Sequence, residues 1–403
     1  MRAAPLILIL LLSLLPQPPA RAVTLPGWLR FIKFPAGAEK NVPRPAQKRV
    51  RVADFTGGTG TSAQQALVAE LTAARQFSLS QDDPDFTVSG SSVGGRVSAR
   101  ILNRAGKEIF DRTYAAPGLD ENLKSLADDL IYAITGKPGL ATSRITFVSD
   151  KSGVKQIYLC DPNGREVQQI THHSHGAVSP TLAPDGSAVA YTSYRSGFPV
   201  VQLLDLGLGW ERTVTDTPGS SFGAAYSPDG QRMAVVMSFL GNPEIFVTDL
   251  TTNTAACISD TIGAPCSPAW HPDGKRVIFA DDRGDGPRLY IAEVPSRSDQ
   301  EAKLLRWRAG YSFCTDPEFS PEGDSVAFTA RTGGSTAVII KGWPTGPTRV
   351  LQTGGAEHPS WSPNGRQVCY TQHGTLYIHD LHTGQRRAIL SGHGQITEPR
   401  WMK

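Results

Sequence analysis

Four short motifs in this sequence contain residue types that could carry out chemistry. Gly219–Gly223 reads Gly-Ser-Ser-Phe-Gly, the G-x-S-x-G pattern of a serine nucleophile, and Gly58–Ala63 fits the G-x-G-x-x-A pattern of a nucleotide-binding loop. The three histidines within His172–His175 could bind a metal ion, and the acidic run Asp281–Gly286 is similar to a calcium-binding loop. Each motif works only if the surrounding secondary structure holds it in the required geometry.

None of the four motifs has the surroundings that its chemistry needs. The serine pattern is active at a sharp turn from a strand into a helix, whereas here a strand pattern follows it. The glycine pattern lacks a parallel βαβ partner with an acid at the end of its strand. The histidines have no neighbouring cysteine or acidic cluster, and Arg283 occupies a ligand position of the calcium-like loop. We therefore predict no catalytic residue, no cofactor and no metal site.

The sequence is organised instead around a phrase that ends in Ser-Pro-Asp-Gly or a close variant. Five complete copies lie at 179–186, 223–230, 267–274, 316–323 and 358–365, and a truncated sixth copy lies at 398–401. The turn glycines are 44, 44, 49 and 42 residues apart, a period typical of β-propellers and solenoids. Alternating apolar and β-branched residues follow each phrase, which favours strands over the helices of a solenoid.

Each phrase predicts the first of four strands in a propeller blade, with Pro-Asp-Gly as the turn into the second strand. The sixth phrase stops after its first strand, but three unassigned strand patterns occur earlier, at Arg144–Ser149, Gln156–Leu159 and Glu166–Ile170. We therefore predict a six-bladed propeller over 144–403. Its C-terminal strand, near Trp401, is expected to pair beside the first propeller strand, because closure removes exposed sheet edges.

The 403-residue chain has room for further segments before the propeller, and its net charge of +3 comes from scattered cations that form no basic stripe for nucleic acid. Residues 1–22 have the short apolar run and small-residue end of a secretory signal peptide. No other segment has the pattern of a membrane span, so we expect an exported, soluble monomer and favour the periplasm. Residues 23–47 join an apolar stretch to a Pro- and Gly-rich linker. They suggest a tethered peptide that docks on its own protein or on a partner.

Residues 48–138 predict a small α/β domain. A strand is expected at Arg49–Phe55, and a helix from Ser62 to Ala74 would begin with a capping box of Ser62 and Gln65. A second helix from Asp120 to Thr135 would end at Gly136. Three further strands are expected at Phe86–Ser89, Arg96–Leu102 and Glu108–Tyr114.

The five cysteines are an odd number, so at least one thiol is expected to stay unpaired within the chain. Cys266 and Cys314 lie at nearly matching places in adjacent blades. The sequence is compatible with a disulfide between them and equally with two separate buried thiols.

The junction between the α/β domain and the propeller carries the most specific likeness to a known family. Residues 126–139 read LADDLIYAITGKPG, and residues 142–148 read TSRITFV. With the signal peptide and the propeller phrases, they resemble the TolB family, whose chains have a helix ending in I-Y-x-x-T-G-x-x-G and enter the propeller through T-R-I-A-Y/F-V. The resemblance covers nearly the whole chain after the signal peptide.

The resemblance implies a non-enzymatic periplasmic adaptor. Members of the family link inner-membrane Tol proteins to the peptidoglycan-associated lipoprotein Pal, and they support envelope integrity and outer-membrane invagination at cell division. Their mature N-terminal peptide contacts TolA and affects Pal binding, and the tethered peptide of this chain matches it in position and character. Its large apolar residues are Trp28, Leu29, Phe31, Ile32 and Phe34. A Pal-like lipoprotein and a TolA-like protein are therefore the implied partners.

The resemblance also implies a binding site over one mouth of the propeller channel. Family contacts lie just before the innermost strand of a blade, which places Ser220, Gly223 and Ser267 in the site. Repeat symmetry extends the set to Ser179, Asp316, His358 and Glu398. The chain departs from the family in two ways: Ser220 stands where family members carry a histidine, and the α/β domain is short between its first helix and second strand.

Two other functions stay open. One is an exported hydrolase or lyase, which needs ionisable groups to converge in the channel, such as His358 with Asp316 and Glu398. The other is a glycan-binding propeller without protein partners. A rigid, concave mouth with mixed polar groups suits the protruding loop of another protein, which favours the adaptor.

Overall fold

The computed structural model describes residues 48–215, 219–238, 241–295 and 302–402. The predicted signal peptide and the tethered peptide, with its five apolar residues, lie outside the described residues. Within the described ranges, no helix is long and apolar enough to cross a membrane. All five cysteines are free thiols, including Cys266 and Cys314.

The first elements form a five-stranded sheet with two helices on one face. In chain order they are β1 (Arg49–Val52), α1 (Gly60–Ala74), β2 (Ser78–Leu79), β3 (Phe86–Val93), β4 (Arg96–Asn103), β5 (Glu108–Tyr114) and α2 (Leu119–Thr135). The strand order is β2-β1-β3-β4-β5, with β1 parallel to both neighbours. The apolar stripe of α2, which includes Leu126 and Leu130, packs with Leu67 of α1 and Val88 of β3 in one core. The α/β architecture is therefore confirmed.

Of the two predicted helix ends, the end of α2 is confirmed and the start of α1 is wrong. Gly136 ends α2 as predicted, because it adopts a φ of 73° and its N–H donates to the carbonyl of Tyr132 over 2.8 Å. The Ser62 capping box is wrong, because α1 begins two residues earlier, after Thr59, which makes no side-chain cap bond. Thr59 Oγ1 instead lies 2.7 Å from the hydroxyl of Ser92 in β3. A tertiary contact therefore sets the start of this helix.

The remaining strands form six four-stranded blades. Blade 1 contains β6 (Arg144–Ser149), β7 (Gln156–Cys160), β8 (Gln168–Gln169) and the last strand, β29 (Ile396–Met402). Blade 2 contains β9 (Ala177–Leu182), β10 (Ala188–Ser193), β11 (Val200–Asp205) and β12 (Glu211–Thr213). Blade 3 contains β13 (Ser221–Tyr226), β14 (Arg232–Met237), β15 (Glu244–Asp249) and β16 (Ala255–Cys257). Blade 4 contains β17 (Ala264–Trp270), β18 (Arg276–Asp282), β19 (Pro287–Glu293) and β20 (Lys303–Arg306). Blade 5 contains β21 (Cys314–Phe319), β22 (Ser325–Thr332), β23 (Ser335–Gly342) and β24 (Thr348–Gln352). Blade 6 contains β25 (Ala356–Trp361), β26 (Gln367–Gln372), β27 (Thr375–Asp380) and β28 (Arg386–Leu390).

The propeller closes through the C-terminal strand. Strand β29 pairs antiparallel with β6, and Trp401 lies opposite Ile145. The aromatic side chain of Trp401 is buried in the cluster between blades 6 and 1, together with Phe147 and Cys369. The blade count and the route of closure that the repeats predict are therefore confirmed.

Candidate functional site

Six residues, one from each blade, form what we call the bulge ring. They are Ser179, Gly223, Ser267, Asp316, His358 and Glu398, the position three residues before the large apolar residue of each phrase. All six have positive φ, at 53°, 60°, 51°, 51°, 54° and 51° respectively. All six are partly exposed, and they lie near the end of the channel at which the inner strands begin. Six of the seven residues that sequence reasoning assigned to the mouth, all except Ser220, thus share one backbone conformation.

A β-bulge in each inner strand produces this conformation. In blade 3, Phe222 pairs with Val236 and Ala225 pairs with Ala234, so Gly223 and Ala224 together oppose one residue of β14. The same shift in register occurs in the other five blades. A proline follows the bulge residue in every blade except blade 3. Since positive φ costs a non-glycine residue about 1–3 kcal/mol, the surrounding structure must hold the five non-glycine positions in place.

Side chains of neighbouring blades provide part of that support. The N–H of Gly223 donates to Thr192 Oγ1 over 3.2 Å, and the N–H of His358 donates to Thr329 Oγ1 over 3.0 Å. The N–H of Ser179 donates to Glu398 Oε2 over 2.8 Å. In each case the acceptor belongs to the preceding blade. The backbone N–H of the bulge residue is not used within its own sheet, so it forms a hydrogen bond to the neighbouring blade instead.

Ser267, Asp316 and His358 come together on one side of the ring. Ser267 Oγ donates to Asp316 Oδ1 over 3.3 Å, while His358 Nδ1 lies 3.4 Å from Thr371 Oγ1. Burial opposes ionisation of Asp316, but the nearby charges of His358 and Arg400 and hydrogen bonds from threonines outweigh it and hold the pKa of Asp316 below its usual value. The serine is thus bonded to a carboxylate and not to the imidazole, unlike the nucleophile–base pair of a hydrolase. Glu398 Oε2 instead accepts a hydrogen bond from the N–H of Ser179.

Ser220 lies outside the ring. Its N–H donates to Ser238 Oγ over 3.2 Å, and its carbonyl accepts from the N–H of Ser238 over 3.0 Å. Ser220 therefore belongs to the rim, one residue before β13, and its side chain is half-buried.

Sequence reasoning missed two charged residues deeper in the channel. Glu318 and Arg400 stand two positions after the bulge residues of their strands, and the Glu318 carboxylate lies 3.9 Å from Arg400 Nη1. Glu318 Oε1 accepts hydrogen bonds from the N–H of Trp361 over 2.8 Å and from Ser360 Oγ over 3.1 Å. Burial raises the pKa of Glu318, although Arg400 and these donors oppose the effect. Glu318 and Arg400 occupy the same position of their phrases, two residues after the bulge residue, so the repeats could have indicated this pair.

Below the ring the channel widens into a cavity of about 470 Å³. Prolines of the phrases, such as Pro228 and Pro272, and the aromatic residues Trp270 and Phe319 form much of its lining, with Glu318 among them. The channel is therefore polar at the ring and largely apolar at the end where the Pro-Asp-Gly turns lie.

Large apolar side chains are exposed at the same end of the propeller as the ring. Tyr194 and Phe198, in the turn after β10, are 42% and 47% exposed, and Ile262, just before β17, is 91% exposed. Since Ser193 pairs with Ala177 at the start of β9, this turn lies at the ring end of blade 2. Burial and the nearby charge of Glu398 raise the pKa of Tyr194, which indicates that Tyr194 stands close to the ring. Exposed aromatic and aliphatic residues around a polar concavity are typical of protein-binding surfaces.

The four motifs singled out in the sequence have structural roles. Ser221 of the serine pattern lies in β13 and accepts the N–H of Val201 over 3.0 Å. In the glycine pattern, a Cβ on Gly60 would lie 2.3 Å from the carbonyl oxygen of Phe55, so close packing explains that glycine. His173 Nε2 contacts Tyr191 Oη at 2.8 Å. In the calcium-like loop, Arg283 pairs with Asp281 at 2.8 Å. Among the described residues, no cluster of three or more acids, histidines or cysteines could hold a metal ion.

Fold and site together define a class: a closed six-bladed propeller, joined to a small α/β domain, with a polar ring and exposed apolar residues at one end of its channel. The model of the TolB β-propeller domain matches residues 132–403. The chain therefore belongs to the TolB β-propeller family.

Individual relatives agree with this assignment. A TolB homologue of Chlorobaculum tepidum is 33% identical over 120 residues, which is 27% of each chain, and a Tol-Pal system protein TolB of Desulfosudis oleivorans is 37% identical over 93 residues, 23% of this chain and 21% of that protein. The chain thus spans about a quarter of the length of the curated relatives it matches. The crystal structure of TolB from Acinetobacter baumannii shares the fold, with a TM-score of 0.71 and 22% identity over 89% of this chain and 97% of that one.

Proposed function

We propose that this chain is a non-enzymatic periplasmic adaptor of a Tol–Pal envelope system that binds a Pal-like lipoprotein over the bulge ring. The observation that carries the proposal is the ring itself, in which six blades each present one partly exposed residue at positive φ. Exposed Tyr194, Phe198 and Ile262 stand at the same end. Family membership over two thirds of the chain supports the role.

The geometry of the ring suits a protruding loop of another protein. Hydrogen bonds between blades preorganise the bulge residues, so little conformational entropy is lost when a partner binds. The ring offers hydroxyl, carboxylate and imidazole groups from Ser267, Asp316 and His358. The exposed side chains of Tyr194, Phe198 and Ile262 supply apolar area that a partner can bury. Ser220, beside the ring, belongs to the same proposed surface.

The second part of the proposal concerns the N-terminal segment. We assign contact with a TolA-like inner-membrane protein to Trp28, Leu29, Phe31, Ile32 and Phe34. A role in envelope integrity and in outer-membrane invagination at division follows from joining the two partners. Both rest on the resemblance of the sequence to the family, because these residues lie outside the described ranges.

The test is binding of the soluble domain of a Pal-like lipoprotein from the same organism, measured by calorimetry. Gly223→Arg and Ser267→Arg should each weaken the complex by about tenfold or more, as expected for a bulky charge at the centre of an interface. A Cβ at Gly223 would have room, 3.7 Å from Val236 Cγ2, but the φ of 60° makes any side chain there cost about 1–3 kcal/mol of stability. Gln231→Arg, at the exposed turn at the opposite end of blade 3, is the matched control and should leave affinity unchanged.

Melting temperatures of the three variants show whether the fold is retained. Unchanged affinity in both ring variants, with wild-type protein binding tightly, would place the partner elsewhere. Absence of any complex with the wild-type chain would reject the adaptor role.

A further inference from the structure

A second concavity lies on the flank of the propeller, between blades 4 and 5, away from the central channel. It has a volume of about 670 Å³ and is built from the start of β19, the end of β20 and the segment 307–313 that leads into β21. We call it the arginine cavity, because Arg288, Arg306 and Arg308 are among its lining residues.

The charged residues at the arginine cavity are mostly positive. Arg288 pairs with Asp285 at 3.1 Å, whereas neither Arg306 nor Arg308 makes an ion pair with any residue in the described ranges. Lys341 adds a fourth cation, and its Nζ donates to the carbonyl of Arg308 over 2.6 Å. Among the described residues, four cations therefore lie at this cavity together with one paired acid.

The thiol of Cys314 lies in the wall of the arginine cavity and is fully buried. Burial raises the pKa of Cys314, and the positive charges of Arg288, Arg306 and Lys341 all oppose that rise. Arg288, Arg306 and Lys341 belong to three different strands, β19, β20 and β23. Their charges add to a positive potential inside a concave wall, where an anion gains more than it would on an open surface.

The walls of the cavity are held in place. The side chain of Arg288 donates to the carbonyl of Ser312, and Trp307 Nε1 donates to the carbonyl of Pro344 over 2.9 Å. Lys341 lies over the ring of Trp307, and Tyr311 packs edge-on against Phe328. The segment 307–313 is thus anchored to strands on both sides, so the cavity exists before any ligand enters.

We propose that the arginine cavity binds a phosphate ester small enough to enter it, with the phosphate held by Arg306 and Arg308. Guanidinium groups match the geometry of phosphate oxygens and bind them with two parallel hydrogen bonds. The cavity is large enough for a sugar-sized group beside the phosphate, and the partly exposed side chain of Tyr311 gives it an aromatic wall against which a ring can pack. The inference does not depend on the proposed adaptor role.

The test uses pyrophosphate and glucose 1-phosphate as probes, with the full mature chain in calorimetry at low ionic strength. We expect saturable binding that weakens as salt increases. In the double variant Arg306→Ala/Arg308→Ala, affinity for both probes should fall by about tenfold or more, because each lost guanidinium removes charge-assisted hydrogen bonds. Arg96→Ala/Arg212→Ala removes the same net charge from exposed positions elsewhere and should leave affinity unchanged.

Three results would overturn the proposal. They are no saturable binding by the wild-type chain, an equal loss of affinity in both double variants, and binding only to vesicles that contain phosphatidic acid and not to the soluble probes. The last result would indicate a membrane surface as the source of phosphate. Phosphatidylcholine vesicles serve as its control.

Discussion

The indole N–H of Trp401 donates a hydrogen bond of 3.0 Å to Oγ of Ser143. Ser143 directly precedes the first propeller strand, and its hydroxyl also donates to the carbonyl of Leu140 over 2.7 Å. Both Trp401 and Ser143 are buried. The last strand of the propeller is therefore bonded to the segment that leads out of the α/β domain, so closure of the propeller and the junction share one hydroxyl group.

Removing residues 398–403 should lower the melting temperature by about 10 °C or more. The burial of one tryptophan is worth about 3–5 kcal/mol, and 1 kcal/mol corresponds to about 2–4 °C in a domain of roughly 150–250 residues. Ser143→Ala should cost less, about 1–3 kcal/mol, because it leaves a buried N–H unpaired. Ser187→Ala, at an exposed hydroxyl, is the control. Calorimetric melting of the truncated chain at the wild-type temperature would contradict closure through β29.

Gly139→Ala should destabilise the junction. A Cβ at Gly139 would lie 2.1 Å from Asp128 Oδ1 and 2.4 Å from Asp128 Cα. That carboxylate cannot move freely, because it accepts the N–H groups of Ala141 and Thr142 over 2.7 and 3.0 Å. Overpacking of this kind costs about 1–3 kcal/mol.

The control for Gly139 is Gly58→Ala, where a Cβ would meet no atom within 4 Å. Urea unfolding of the two variants measures the difference. An equal, small effect in both would show that the junction can relax around an added methyl group.

Asp316 and Glu318 should affect stability with opposite dependence on pH. The folded state lowers the pKa of Asp316, so its ionised form stabilises the protein above the ordinary value of 3.8, and this stabilisation is lost as the pH falls through the folded pKa. The folded state raises the pKa of Glu318 above 4.5, so stability decreases as the pH rises from there through the folded pKa.

Two amide variants separate these effects. Asp316→Asn should be less stable than the wild type at neutral pH and should approach it in acid. Glu318→Gln should be more stable at neutral pH, with the gain disappearing below about pH 4.5. Unfolding free energies across the pH range provide the measurement, and parallel curves for the two variants would refute the assignment.

The number of blades could be predicted from the sequence because the phrase repeats and its last copy is incomplete. Only one arrangement supplies the missing strands of blade 1, and β29 beside β6 is that arrangement. The turns at the ends of the third strands could also be predicted from the sequence. An aspartate in a turn tends to bond the backbone N–H two residues later, and Asp249 accepts the N–H groups of Thr251 and Thr252 over 2.9 and 2.8 Å.

The bulges and the arginine cavity could not be predicted in the same way. Serine, aspartate, histidine and glutamate all occupy the bulge position, so no single residue type marks a positive φ there. Arg288 and Arg306 meet only because β19 pairs with β20. The Ser62 capping box failed for a related reason: the helix starts after Thr59, whose hydroxyl contacts Ser92, 33 residues away in the sequence.

The shared backbone of the bulge ring also has a consequence for how this surface can change. Four different side chains and a glycine already occupy the same conformation in the six blades. Exchanging one of them therefore alters the chemistry of a single sector while the scaffold of the other five stays as it is. The bulge ring can therefore change one blade at a time, so that combinations of single substitutions can produce new binding specificities while the fold stays the same.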